Sequence, residues 1–126
     1  MRVFKSRSFE RFARSEGIGD AALAKAIRDA GKGLIDADLG GGLIKLRLAR
    51  KGGGKSGGFR TLIAYRTKVR AVFLFGFAKS ERANVSPAQI ADLKQVAAEI
   101  LLRDEALMSA EVAEGRLLEV SYDQDK

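Results

Sequence analysis

In Leu43-Ile44-Lys45-Leu46-Arg47-Leu48, the apolar Ile44, Leu46 and Leu48 alternate with Lys45 and Arg47. That period of two predicts a strand with one face in the core and the other cationic. Thr61 to Arg66 and Val69 to Phe77 are apolar enough to be adjacent central strands. The tight polar break at Thr67-Lys68 predicts that these two segments form an antiparallel hairpin. Residues 2–6 read as a short strand, and Arg116 to Tyr122 as another after Gly115.

Helical spacing takes over between these segments. Phe9, Phe12 and Ala13 share one face of a helix over residues 8–14 that Gly17-Ile18-Gly19 ends. Asp20 is a plausible N-cap for a second helix, in which Leu23, Ile27, Ala30 and Leu34 recur before Gly31 and Gly33 loosen it. Ser86-Pro87-Ala88-Gln89 has the form of a capping box with proline at the first helical position, and Ile90, Leu93, Ala97 and Ile100 then form a stripe to about residue 103. Glu105 to Glu114 predicts one or two further helical turns. Neither repeats nor a clear linker interrupt the pattern, so residues 1–126 read as a single domain, with 104–126 as a candidate short C-terminal extension.

Charge changes the picture most. Residues 1–82 hold 19 Lys and Arg against 7 Asp and Glu, whereas residues 83–126 hold 4 against 9, within a chain of net charge +7. Lys45 to Arg82 contains 11 cations and one acid, Glu81. Such a field attracts phosphates and speeds association with nucleic acid. The acidic C-terminal part could shield this surface only by direct contact, because charges are screened over about 8 Å at physiological salt. The chain has no cysteine and no histidine, which removes disulfides, thiolate sites and the commonest metal ligand. No cofactor is expected. No apolar run approaches the ~20 residues that span a bilayer, and the basic N-terminus lacks the apolar stretch of a secretory signal. No membrane partner is expected and the reading is cytoplasmic.

Between the predicted strands, Arg50 to Arg60 is a glycine-rich loop by composition and carries four cations, Arg50, Lys51, Lys55 and Arg60. Glycine there lets a backbone approach a ligand closely. Gly54-Lys55-Ser56 echoes the end of a nucleotide-binding loop, but the required earlier glycine falls on Ala49 and the segment leads into a strand instead of a helix. A phosphodiester site fits better. Cleaving RNA through its own 2′-hydroxyl needs a base, cations for the charge developing at phosphorus and an acid for the leaving oxygen. A lysine crowded by cations and partly desolvated can act as base, which makes Lys55 and Lys79 candidates. Arg60, at a strand start, suits charge stabilisation. Tyr65 and Tyr122 are the two phenols; core packing is the stronger expectation for Tyr65. Arg66 and Arg70 flank the hairpin turn, where solvent or a phosphate contact is expected.

The run Lys55-Ser56-Gly57-Gly58-Phe59-Arg60-Thr61-Leu62-Ile63-Ala64-Tyr65-Arg66, with Val72-Phe73-Leu74-Phe75-Gly76-Phe77-Ala78-Lys79-Ser80-Glu81-Arg82 and the capped helix that follows, resembles the RelE/HigB-like toxins of type II toxin–antitoxin systems. The resemblance implies an α+β fold: two N-terminal helices packed on a small, twisted, mainly antiparallel sheet, with a C-terminal helix. It also implies a metal-independent endoribonuclease that cleaves mRNA on the ribosome, and a cognate antitoxin, in HigB-like systems often a helix-turn-helix protein. By position, Arg60 matches the arginine that opens the third strand of such toxins, Lys55 the loop lysines associated with the general base, and Lys79 a second cation near the end of the next strand. Lys45, Arg47, Arg50, Lys51, Arg66 and Arg82 are the candidate RNA contacts. The same fold also hosts ParE-like toxins that bind DNA gyrase without cutting RNA, and a plain nucleic-acid-binding module would account for the charge alone.

Overall fold

The computed structural model describes residues 1–49, 58–80 and 85–122. Ten elements follow one another among them: β1 (Arg2–Ser6), α1 (Arg7–Glu16), α2 (Asp20–Gly31), β2 (Ala37–Gly40), β3 (Leu43–Leu48), β4 (Phe59–Arg66), β5 (Arg70–Ala78), α3 (Pro87–Leu102), α4 (Glu105–Ala113) and β6 (Leu117–Val120). The strands form one sheet in the order β2-β3-β4-β5-β1-β6. All neighbours run antiparallel except β1 and β5, which are parallel with Arg2 opposite Arg70.

Each face of the sheet has its own core. On one, Phe9 and Ala13 of α1 and Leu23, Ala26, Ile27 and Ala30 of α2 pack against Ile44, Leu46, Leu48, Phe59, Ile63 and Phe73. On the other, Ala97 and Ile100 of α3 and Met108 of α4 pack against Phe4, Leu43, Leu62, Ala64, Val72 and Leu74. This two-sided cover is why β4 and β5 are apolar without a clean period of two. It is the α+β, RelE-like architecture that the resemblance implies.

A register shift between Leu62 and Ile63 decides which side chains of β5 face which core. Leu62 pairs with Phe75 and Ile63 with Phe73, so Leu74 is the extra residue of a bulge. Beyond it, Gly76 lies under α1, where an added Cβ would stand 2.5 Å from Phe12 Cε2. Phe77 belongs to the opposite core and lies directly across from Arg60.

The caps explain where the helices begin. Ser86 accepts from the Gln89 backbone N–H while Gln89 accepts from that of Ser86, the expected capping box, and Pro87 follows. α1 ends on Gly17 in the left-handed conformation, φ 71°, with its N–H returned to the carbonyls of Ala13 and Arg14. No helix of the described residues is long and apolar enough to cross a membrane.

Several sequence expectations need correction: Asp20 is the first residue of α2, whose N-cap is Gly19, and no side chain caps the helix. Leu34 does not continue the buried stripe of α2: the helix ends at Gly31, and Leu34 is 61% exposed. The strand β2 was hidden in a mixed segment, Ala37-Asp38-Leu39-Gly40, too short and polar to show a period. Arg70 meets neither solvent nor a free phosphate position; it is 2% exposed and bonds to the α3–α4 junction.

Candidate functional site

The β3–β4 pairing brings the basic positions together. Arg47 stands directly opposite Arg60, and Lys45 opposite Leu62. Lys45, Arg47 and Arg60 thus lie toward one end of the sheet, on the face that α3 covers farther along. Beside Arg60 on β5 is Phe77, then Ala78 paired with Phe59. The Lys79 N–H donates to the Gly58 carbonyl at 3.1 Å, which carries the β4–β5 pairing one step further. Lys79 is exposed there, two positions beyond the partner of Arg60.

Burial grades the cations. The Arg60 side chain is 6% exposed, that of Lys45 18% and that of Arg47 48%. Two arginines directly opposite on neighbouring strands repel, and a buried guanidinium needs a counter-charge. The structure supplies it through Asp36, a residue the sequence reading did not single out. Asp36 Oδ1 accepts from Arg47 Nε at 2.8 Å, while Oδ2 faces Lys45 Nζ and Arg60 Nε, each at 3.7 Å. The Asp36 backbone N–H donates to the Lys45 carbonyl at 2.8 Å, which fixes the carboxylate beside β3. An acid just before an unrecognised strand, with Asp38 two residues on, gave no periodic signal; only its sequence proximity to the basic strand could have drawn notice.

The other expected site residues are distributed as follows. Arg66 is exposed at the far end of β4, paired with Arg70 and six positions from Arg60, or about 20 Å along the strand. It is therefore not brought to the Arg60 cluster. Lys55, Arg50, Lys51 and Arg82 lie outside the described residues. Tyr65 packs partly buried against the α1–α2 core, and Tyr122, just past β6, packs against the same core. Both phenols thus serve packing.

Carboxylates of the acidic C-terminal part are engaged away from the cluster. Glu119 and Glu105 pair with Arg2, Glu105 also with Arg70, Glu99 with Arg103, and Glu111 and Glu114 with Arg116. The Arg70 guanidinium, aided by Arg2, holds the Glu105 carboxyl below the ordinary carboxylate range, and Arg2 does the same for Glu119. These groups pin α4 and β6 to the sheet and leave the basic face, among the described residues, to Asp36.

What the cluster can do chemically follows from its parts. Guanidinium groups fixed on a strand form a ready anion site for a phosphate or for charge developing on it. No curated protein gives a significant match to the chain. The family model described as RelE toxin of RelE / RelB toxin-antitoxin system matches residues 1–120, which takes in every strand and helix named above. The chain belongs to the RelE toxin family, and is thereby the toxin of a toxin–antitoxin system with a cognate antitoxin as its partner.

Proposed function

We propose that this toxin stops translation by cutting mRNA on the ribosome, through attack of a 2′-hydroxyl on the adjacent phosphorus. The observation that carries this reading is Arg60: a buried arginine on a central strand, directly across from Arg47. In the reaction the 2′-oxygen bonds to phosphorus as the bond to the 5′-oxygen breaks, leaving a 2′,3′-cyclic phosphate and a 5′-hydroxyl. A base takes the 2′-hydroxyl proton, and the departing oxygen gains one.

Arg60 stabilises the charge that builds on the non-bridging oxygens, where preorganised donors count most. Arg47 and Lys45 hold neighbouring phosphates. Lys55 and Lys79 are the candidates for proton transfer in a chain without histidine. Arg50, Lys51 and Arg82 extend the RNA-binding surface, and Arg66 contacts RNA at a distance from the chemistry. The reaction takes place in the cytoplasm. The antitoxin, on the residue-level resemblance to HigB-like toxins, is a helix-turn-helix protein.

Inducing the protein in a bacterium tests the reading. Growth arrest with loss of full-length message, relieved by Arg60→Ala, is the expected result. Arrest with intact message and a DNA-damage response would instead establish the gyrase-inhibitor class.

A further inference from the structure

The least expected feature of the basic cluster is that one carboxylate, Asp36, meets both arginines through the same atom of each. Asp36 faces Arg47 through Nε at 2.8 Å and Arg60 through Nε at 3.7 Å. An arginine offers two edges to an anion, one made of Nε and an Nη and the other of both Nη groups. With Nε turned to Asp36, neither arginine uses its Nη edge on that carboxylate. Arg47 makes no Nη hydrogen bond among the described residues, and the one from Arg60, to the Phe59 carbonyl, is long at 3.5 Å. Among the described residues, a guanidinium as buried as Arg60 with such long contacts is held in place by charge and has unused hydrogen-bonding capacity.

We propose that Asp36 is a positioning residue for the phosphodiester reaction: it grips the Nε atoms of Arg47 and Arg60 so that their Nη edges converge on the scissile phosphate. The inference rests on the ribonuclease reading above and deepens it. Asp36 touches no substrate atom. It offsets the repulsion between two facing arginines, takes Lys45 into the same ion cluster at 3.7 Å, and is itself anchored by its backbone bond to Lys45. Preorganisation of this kind acts on the chemical step more than on binding, since removing a negative charge from a basic face favours the attraction of RNA.

Asp36→Asn keeps the shape and one acceptor for Arg47 but removes the charge. In single-turnover cleavage of mRNA on programmed ribosomes, the saturating rate should fall at least tenfold while the half-saturating concentration changes less than threefold or decreases. Asp36→Glu, which keeps the charge but moves it by one methylene, should bind equally and cut more slowly than wild type. A merely structural role would weaken binding and lower the melting temperature together, and that result overturns the proposal, as does wild-type cleavage by Asp36→Asn. Faster cleavage by that variant also overturns it, and would make Asp36 a competing anion.

Nitrogen-15 NMR of the arginine side chains reads the grip without catalysis. Hydrogen exchange at Arg47 Nε, which donates to Asp36 at 2.8 Å, should quicken at least fivefold in Asp36→Ala; unchanged exchange refutes the grip. Should the wild-type protein cut no mRNA, the ribonuclease reading fails by itself, and the exchange measurement still decides whether Asp36 grips Arg47.

Discussion

Arg70 donates from Nη1 to the carbonyl of Ile100, 2.7 Å away and thirty residues further along the chain. The same nitrogen reaches the Arg103 carbonyl at 2.8 Å, and Nη2 pairs with Glu105. One side chain of the sheet therefore satisfies the carbonyls at the end of α3 and holds the start of α4. Its Nε, buried without a partner among the described residues, is a cost this staple carries.

Arg70→Met fills the space but strands those acceptors. It should destabilise the fold by about 2–4 kcal/mol, the range for a broken buried pair and orphaned carbonyls. Glu105→Gln should cost less, because both carbonyl bonds of Arg70 remain and the amide oxygen can still accept from it. Urea unfolding of both variants checks the order; equal losses would show that the ion pair, and not the carbonyl bonds, holds the junction.

Gly76→Ala places a methyl group 2.5 Å from Phe12 Cε2 and 3.0 Å from Phe9 Cε1. Overpacking of this kind costs about 1–3 kcal/mol. Phe12→Leu in the same chain should recover part of that loss, so the two changes together should cost less than their sum. Additive losses in thermal unfolding would mean that α1 does not press on this part of β5.

Acid should weaken the attachment of the C-terminal elements. Arg70 lowers the Glu105 pKa, Arg2 lowers that of Glu119, and Lys5 lowers that of Glu10. A depressed carboxyl pKa contributes stability that is fully present above the ordinary carboxylate range and is lost as pH falls through the depressed value. Lys5 runs the other way: although burial opposes its charge, Asp20 and Glu10 together raise its pKa. Its contribution is present below the ordinary lysine pKa and disappears as pH rises through the raised one. Melting temperature followed from about pH 7 to about pH 2 should fall. Glu105→Gln with Glu119→Gln should make that fall shallower; an unchanged slope would place the titrating groups elsewhere.

RNA affinity should separate binding from chemistry. For a 2′-deoxy substrate that cannot be cut, removing the cation that neutralises one phosphate should reduce the salt slope by about 0.7. Lys45→Ala and Arg66→Ala are each expected to do so. Only the first should also slow cleavage of normal RNA, since Arg66 lies at the other end of β4. A rate loss in Arg66→Ala as large as in Lys45→Ala would mean the site extends along the whole strand.

Much of this fold was legible because local signals agreed with packing. The capping box at Ser86, the glycine after α1 and the alternation in β3 each reflect a backbone requirement that short sequence windows reveal. In β5, cover on both faces erased the alternation, so the bulge at Leu74 and the facing of Gly76 and Phe77 could not be read. The site divides similarly. Arg60 and Arg47 stood out as cations on strands, whereas their direct opposition depends on register, and Asp36 joins them through a strand that the sequence barely marks. Arg70 carried the same kind of charge signal and proved structural, because burial and partners, not residue type, decide what an arginine does.

Whether Arg60 carries ribosome-dependent cleavage is decided by primer extension on mRNA held by programmed ribosomes, comparing the wild-type toxin with Arg60→Ala after circular dichroism has shown both to be folded. Discrete stops within the message are expected with the wild type, and a rate lower by about 10²–10³-fold in the variant, the loss typical of removing one charge-stabilising donor. Intact mRNA with the wild-type toxin, or equal cutting by Arg60→Ala, would contradict this role of Arg60.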